Sequence, residues 1–175
     1  MDQMTNGTTA AGAKYKIGEQ LDGGIIFYLD KSGEHGLMAA PVDPVERTAW
    51  CPAKSPNVLA MTVRDGIGMG RYNTEKIIDK YGSGDYAAIL CARYQLNGIG
   101  DWYLPSLYEL ELMIKTIGNG TNGPNRNIGK FSEGYYWSSN EKSDSEAFVV
   151  ISNNGARMDL MKRSAEERVR AIRAF

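Results

Sequence analysis

The chain has 175 residues and a formal net charge of −1 at neutral pH. That length suits one domain with its own core, and a charge near zero gives no overall attraction to nucleic acid or anionic membrane, so we expect neither partner. Apolar runs such as Gly24–Leu29 are far shorter than the ~20 residues needed to cross a bilayer, which predicts no membrane insertion.

The first segments predict a lead-in followed by a β-hairpin. Residues 1–16 are rich in Thr, Gly and Ala and predict a flexible lead-in, so the folded domain is placed at residues 17–175. Residues 25–29 are β-prone, and residues 36–40 return after a tight turn. Two such runs joined by a turn are typical of a hairpin.

Three helices are predicted in the middle of the chain. Asn73 can accept hydrogen bonds from first-turn amides and predicts the start of one helix; residues 85–94 predict a second. Ser106 caps a third helix, and Glu109 three residues later completes a capping box. The apolar stripe of this helix is Leu107, Leu110, Met113, Ile114 and Ile117.

Strands dominate the last third. Residues 147–151 are apolar and β-prone, residues 153–155 read Asn-Asn-Gly, which is a hairpin turn signal, and residues 156–161 form the return strand. Residues 167–175 predict a last strand. Strands, then helices, then strands indicate the α+β class, in which the two ends of the chain often pair in one sheet.

Motifs for catalysis or metal binding are weak. The glycines between Gly66 and Gly70 lack a preceding strand and a phosphate-binding lysine, which favours a structural turn. His35 is the one histidine and lies in a turn. Cys51 and Cys91 form no zinc pattern; two unpaired thiols are favoured over a disulfide, which stays open. We therefore expect no catalytic residues and no enzyme activity.

The final hairpin carries the candidate binding surface. Neighbouring side chains of a strand point to opposite faces: if Phe148 and Val150 face the core, Val149 and Ile151 face outward. Whichever set of alternate residues of the return strand is buried, the outward side chains are a mixture of apolar and charged groups. Such a mixture on an exposed strand indicates a contact surface. The alternative is that loops cover both faces. The candidate ligand-binding residues are Ser139, Glu141, Lys142, Ser143, Val149, Ile151, Arg157, Asp159, Met161 and Arg163.

Several motifs occur in a characteristic order over nearly the whole chain. They are Gly23–Tyr28 with Glu34–Leu37, Gly68-x-Gly70 with Asn73-Thr74-x-x-Ile77, Gly98-x-x-Asp101-Trp102-x-Leu104-Pro105-Ser106 with Glu109-Leu110, Tyr136-Trp137-Ser138-Ser139, and Val169–Phe175. In this order they resemble the lectin-like domains of bacteria and phages that carry DW-x-LP and YWSS signatures. The likeness is greatest to the variable (target) proteins of diversity-generating retroelements.

This resemblance implies a C-type-lectin-like fold, with paired N- and C-terminal strands, flanking helices and a small antiparallel sheet that displays the ligand face. It implies a non-enzymatic, receptor-binding or adhesin-like module whose variable segment spans about residues 139–168. The expected ligand is a protein or glycan on a cell or virion surface, and the expected location is the cell surface, the exterior or a virion rather than the cytoplasm. The alternative function is a structural subunit of a surface or virion assembly.

The sequence also departs from better-known members of that fold. It lacks the calcium-binding pattern and the four-cysteine framework of animal lectins, and no cysteine follows Cys91, whereas formylglycine-generating enzymes need reactive cysteines near the C-terminal end. We therefore expect neither metal nor cofactor. Trp137 is expected to fill the core, and Arg170 to bond loop carbonyl groups across the sheet.

Overall fold

The computed structural model describes residues 14–175. The lead-in predicted at residues 1–16 therefore lies largely outside the described residues. Contacts with the domain begin at Tyr15, whose amide donates to the Gly33 carbonyl at 3.3 Å and whose ring meets Phe175 edge-on at a centroid distance of 5.4 Å. These contacts lie two residues before the expected boundary.

The structure is α+β, as the sequence predicts: three helices and two antiparallel sheets are present in residues 14–175. The helices are α1 (Met69–Tyr81), α2 (Ala87–Ala92) and α3 (Leu107–Ile117). The strands are β1 (Gln20–Leu21), β2 (Gly24–Leu29), β3 (Gly36–Ala39), β4 (Tyr135–Glu141), β5 (Glu146–Ile151), β6 (Arg157–Met161) and β7 (Ile172–Ala174).

The first sheet joins the two ends of the domain. Its strand order is β1-β2-β3-β7, so the predicted hairpin of β2 and β3 is confirmed and β7 completes the sheet. The last strand is shorter than predicted, because residues 167–171 turn toward the second sheet. There Trp137 donates its amide to the Arg168 carbonyl at 2.9 Å, and Glu167 pairs with Thr48. This segment links the two sheets.

The second sheet has the order β4-β5-β6, and two apolar clusters lie on its opposite sides. Val149 of β5 belongs to the cluster around Trp50 and Trp137, whereas Val150 belongs to the cluster around α3. Consecutive strand residues point to opposite faces, so the central strand is covered on both sides at Val149 and Val150. Trp137 is buried, as expected, and its indole donates to the Thr48 carbonyl at 2.9 Å.

Helix α3 begins where the sequence predicts. Ser106 accepts from the Glu109 amide, and Glu109 accepts from the Ser106 amide, so the capping box is confirmed. The predicted apolar stripe is buried in full. A helix start leaves free amides that need acceptors, and this box satisfies one of them within the helix itself.

Side chains from distant segments cap the other first-turn amides of α3. Leu107 donates to Asn140 Oδ1 of β4 at 2.8 Å, and Tyr108 donates to Asp65 Oδ1 of the preceding loop at 2.7 Å. Each cap gives an acceptor to a backbone amide that has no partner within the helix. The helix is thereby held against the second sheet.

The Glu109 carboxylate is buried and gathers four donors. It accepts the amides of Gly68 at 2.7 Å, Gly70 at 3.1 Å and Ser106 at 2.8 Å, and the Tyr103 hydroxyl at 3.2 Å. Burial raises the pKa of this carboxyl, and the amide hydrogen bonds oppose the rise. Because these amides belong to the starts of α1 and α3, both helix dipoles favour the negative charge. The glycine-rich turn thus binds a carboxylate of its own chain.

The predicted cap at Asn73 is wrong. Helix α1 begins four residues earlier, after Gly68, which has a left-handed φ of 81°. Glu109 satisfies amides at this start, so a polar cap at Asn73 is not needed. Asn73 lies buried inside the helix, where its amide group donates to the Arg64 carbonyl at 2.7 Å and to Ser139 Oγ at 3.2 Å.

Arg170 binds loop carbonyl groups, as predicted. Its guanidinium donates to the carbonyls of Ala40 at 3.1 Å and Gly129 at 2.6 Å, and to Asp43 Oδ1 at 2.6 Å. A guanidinium offers five donors in a fixed plane, which suits several acceptors at once. This buried side chain joins two loops to the first sheet.

Replacement of Gly70 by alanine tests the contact with Glu109. Alanine is ordinarily better than glycine in a helix by about 1 kcal/mol. Here a Cβ would overlap Glu109 Oε2 and would lie 2.6 Å from the Ser106 amide nitrogen and 2.7 Å from the Leu104 carbonyl oxygen. Because overpacking of rigid backbone outweighs the gain, we expect Gly70→Ala to lower the free energy of unfolding by about 2 kcal/mol, measured by urea denaturation.

Gly100→Ala is the matched control. A Cβ at Gly100 would meet no atom within 4 Å, so we expect a change within about 0.5 kcal/mol. Equal effects of the two substitutions would contradict the proposed role of the Gly70 contact.

The cysteines generate a second prediction. Cys51 and Cys91 are buried and free, which confirms the interpretation as unpaired thiols. Burial raises the pKa of the Cys91 thiol, and the thiolate is the reactive form. We expect both thiols to react slowly with Ellman's reagent in the native protein and at once in denaturant. Fast reaction of both thiols in the native protein would show that the reagent reaches Cys51 and Cys91 and would contradict their burial.

Candidate functional site

The register of β5 and β6 determines which side chains share a face. Phe148 lies opposite Asp159, and Glu146 lies opposite Met161. Directly opposed residues of antiparallel strands point to the same side, and Arg157 joins them because it alternates with Asp159. The sheet therefore presents an aromatic, a methionine and three charged side chains on one side.

Lys142 extends this surface from the turn between β4 and β5. Its Nζ lies 2.8 Å from Asp159 Oδ2 and 3.9 Å from Glu146 Oε2. The hydrogen bond to Asp159 raises the pKa of Lys142. We call the surface the open face; its members are Lys142, Glu146, Phe148, Arg157, Asp159 and Met161.

Helix α3 closes one end of the open face. Arg157 forms a two-pronged ion pair with Glu111 of α3, with Nη2 at 2.7 Å from Oε2 and Nε bonded to Oε1. The hydrogen bonds to Glu111 raise the pKa of Arg157. Bidentate pairs hold the guanidinium in one orientation, so this charge is presented at a defined position.

Phe148 lies at the centre of the open face. It is half-buried and packs partly against the apolar cluster around α3. A partly exposed aromatic side chain bordered by charged groups has the chemistry of an interface anchor, because aromatic residues carry much of the binding energy at protein contacts. The arrangement can take up a partner that buries the ring and pairs with the surrounding charges.

The predicted grouping of Val149 and Ile151 with the charged residues of β6 is corrected. Val149 is fully buried and lies opposite Met158, on the other face of the sheet from Arg157 and Asp159. Ile151 points to the same face of the sheet as Val149 and is half-buried. The two strands of a hairpin cannot be assigned to faces separately, because the turn sets their common register.

Ser139 and Glu141 are buried and are likewise removed from the ligand face. Ser139 donates its amide to the Pro105 carbonyl at 2.8 Å. Glu141 accepts the amides of Ala60 at 2.9 Å and Thr62 at 3.0 Å. Ser139 is covered by the segment before α3 and by Asn73 of α1, and Glu141 is covered by the loop of residues 60–62.

A buried ion pair lies beneath the same hairpin. Lys162 Nζ is 2.7 Å from Glu141 Oε2 and lies 4.6 Å from the ring centroid of Trp50. Both charged side chains are buried. The alternation along β6 places Lys162 on the same side as Leu160, toward the core, so the pattern could have predicted its inward position but not its partner.

Ser143 and Arg163 lie outside the open face. The Ser143 hydroxyl accepts the amides of Ser145 at 3.3 Å and Glu146 at 3.0 Å, which closes the turn. Arg163 donates to the Ser55 carbonyl at 2.9 Å and fastens the end of β6 to a loop. Both are half-buried and have structural contacts.

The structure thus keeps four of the predicted residues on the open face: Lys142, Arg157, Asp159 and Met161. It adds Glu146 and Phe148, which the sequence analysis did not select. The Asn-Asn-Gly turn predicts a hairpin register in which Glu146 lies opposite Met161 and Phe148 lies opposite Asp159. Both residues could therefore have been predicted from the sequence.

A second exposed apolar row borders the end of β4. Leu59, Met61 and Val63 are exposed, and they alternate with the buried residues Ala60 and Thr62. The Glu141 carboxylate binds the amides of the two buried residues, and Met61 between them has a left-handed φ of 61°. Exposed apolar side chains in a row commonly mark contact surfaces.

Other features of the described chain do not coincide with the open face. A shallow cavity of about 500 Å³ lies beside α2, and its lining includes Arg47, Thr48, Cys51, Asp85, Leu90 and Glu166. None of the predicted site residues lines it. Across residues 14–175, no cluster of His, Cys, Asp and Glu side chains is placed to hold a metal ion. None of the helices in this range combines the length and apolarity needed to cross a bilayer.

The chain matches no protein-family model and no curated protein sequence. Its function is therefore inferred from the geometry of the open face and the motifs that surround it.

The buried pair under the hairpin yields a stability prediction. Glu141→Ala removes the acceptor of two loop amides and leaves Lys162 as an uncompensated buried charge. We expect a loss of about 3–5 kcal/mol in the free energy of unfolding, measured by chemical denaturation.

Glu146→Ala on the adjoining strand is the control. Its ion pair with Lys142 is long and partly exposed, so we expect a change below about 1 kcal/mol. A loss in Glu141→Ala no larger than in this control would show that the buried pair is unimportant for folding.

Proposed function

We propose that the chain is a non-enzymatic ligand-binding module of the C-type-lectin-like type, and that it recognises a protein or glycan on a cell or virion surface through the open face. The observation that carries the proposal is the partly exposed Phe148, which lies opposite Asp159 and is bordered on the same face by Arg157 and Lys142. This combination serves recognition better than catalysis, since Lys142 is already paired with Asp159 and Arg157 with Glu111.

The position of the motifs supports the proposed fold type. The Asp101–Ser106 motif leads directly into the N-cap of α3, and the Tyr-Trp-Ser-Ser motif lies in β4, where Trp137 fills the core. The two ends of the domain pair through β3 and β7. The resemblance implies paired N- and C-terminal strands of this kind.

The chemistry of the open face supports a macromolecular ligand. Positive and negative side chains alternate around Phe148, and exposed apolar residues lie close to the end of β4. A protein surface can cover such a patch with complementary charges and a central apolar contact. A sugar ring can stack on the same phenylalanine while its hydroxyl groups bond the carboxylates.

The distribution of burial supports variability of the face. Arg157, Asp159 and Met161 lie on an edge strand, where their side chains contribute little to the core. Surface substitutions away from core contacts usually change stability by less than about 0.5 kcal/mol. The segment that resembles the diversified part of retroelement targets therefore contains positions at which sequence change is tolerated.

A charge reversal tests the proposed role of the open face. The labelled full chain is first applied to an array of glycans and to an array of extracellular protein domains. On the ligands that bind, we expect Lys142→Glu to weaken binding roughly tenfold or more, because it inverts a charge beside the central ring. The melting temperature should remain that of the wild type.

Two further variants separate folding from recognition. The double variant Lys142→Glu with Asp159→Lys keeps the ion pair but exchanges its ends, and should still fail to bind. Val42→Ser changes an exposed apolar residue outside the open face and should bind normally. Unaffected binding by Lys142→Glu, or no binding on either array, would contradict the proposal; a stable oligomer that hides the open face would favour a structural subunit instead.

A further inference from the structure

Strand β6 has an unpaired outer edge. It ends the order β4-β5-β6, and no strand within residues 14–175 pairs with its other side. Such an edge offers free backbone donors and acceptors to another chain. Met158 and Met161 on this strand are 41% and 44% exposed, so the edge carries apolar surface as well.

The backbone groups that point outward follow from the hydrogen bonds to β5. One backbone hydrogen bond lies at each end of the β5–β6 pairing. The Ile151 amide donates to the Ala156 carbonyl and the Lys162 amide donates to the Ser145 carbonyl, both at 2.9 Å. Because bonded and non-bonded pairs alternate in an antiparallel ladder, the even-numbered residues of β6 bond to β5. The odd-numbered residues therefore direct their amides and carbonyls away from the sheet.

One of these outward residues is already engaged. The Met161 carbonyl accepts the Ala165 amide at 3.1 Å, where the chain turns away from the strand. The amides and carbonyls of Arg157 and Asp159 remain available at the edge among the described residues. An added strand can therefore form complete bonded pairs at these two positions.

We propose that two copies of this chain associate through their β6 strands, which pair antiparallel about a two-fold axis at Met158. Arg157 of each copy then lies opposite Asp159 of the other. In this register the outward groups of Arg157 and Asp159 form two bonded pairs, with roughly four interchain hydrogen bonds. The proposal does not depend on the identity or existence of a ligand for the open face.

Charge selects this register over its neighbours. A shift that centres the axis on Asp159 would oppose two carboxylates, and a shift that centres it on Arg157 would oppose two guanidinium groups. Like charges directly opposite each other are unfavourable in a sheet, and opposite charges are favourable. The proposed register also extends the existing pairs into a row of alternating charge, from Glu111 through Arg157 to Asp159 and Lys142 of the second copy.

The same register buries the exposed edge methionine. Met158 meets Met158 of the second copy across the axis, where side chains of a non-bonded pair lie closest. Met161 lies opposite Gly155, whose lack of a side chain leaves room for it. Because the axis is perpendicular to the sheet, the open faces of both copies point to the same side and form one continuous surface.

The interface is small. Seven residue pairs, from Gly155 opposite Met161 to Met161 opposite Gly155, bury less than the roughly 1,600 Å² of a standard stable interface, so association is expected to be weak and dependent on concentration. The mass of the full chain by light scattering should rise from the 19.3 kDa of one chain toward twice that value as concentration increases into the millimolar range.

Cysteine cross-linking tests the register. Met158→Cys and Met161→Cys change residues of nearly equal exposure, three positions apart, and the native cysteines are buried. Under mild oxidation at high concentration, Met158→Cys should form a disulfide-linked dimer in high yield, because the two thiols face each other at the axis. Met161→Cys should not, because its two copies are separated by about 20 Å along the strands.

Each outcome decides the proposal. Dimeric mass together with selective cross-linking at position 158 supports it, and Asp159→Pro should then abolish dimerisation more than Asp159→Ala, since proline removes the outward amide. A monomeric mass at all concentrations overturns it. Equal cross-linking of both cysteine variants, or preferential cross-linking at position 161, overturns the register and shows that another surface brings the copies together.

Discussion

The buried carboxylate of Glu109 is the interaction on which the arrangement of the domain depends. It binds amides at the starts of α1 and α3 at once, together with the Tyr103 hydroxyl. Removal of one partner from a buried polar network leaves the others unsatisfied, so such a network specifies one arrangement. With α3 held in this way, its caps reach Asn140 and Asp65, its apolar stripe covers one side of the second sheet, and Glu111 meets Arg157.

This placement of α3 explains why so little of the second sheet is free. The central strand has Val149 in one apolar cluster and Val150 in the other, and the loop bound by Glu141 closes the end of β4. What remains accessible is β6, the turn that carries Lys142, and the part of β5 around Glu146 and Phe148. The two cores therefore confine the proposed ligand site to one end of the β5–β6 pair and the adjoining turn.

The two proposed roles of β6 use different atoms. Recognition through the open face uses the side chains of Arg157, Asp159 and Met161, which project to one side of the sheet. Association of two copies uses the backbone groups in the plane of the sheet, with the charged side chains selecting the register. An antiparallel two-fold pairing leaves both open faces on the same side, so weak association of two copies would present two ligand sites together and would strengthen binding to a multivalent surface.

Local features were predictable from the sequence because they depend on neighbours in the chain. The capping box of Ser106 and Glu109, the buried stripe of α3 and both hairpins belong to this class. The tertiary structure decided the rest. Asn73 lost its expected cap position because Glu109, 36 residues away, satisfies the preceding turn. Val149 is buried although it alternates with Phe148 and Val150, because Trp137 and its cluster cover one face of β5 and the cluster around α3 covers the other. Alternation fixes only that the two faces differ; contacts between distant segments determine which one meets water.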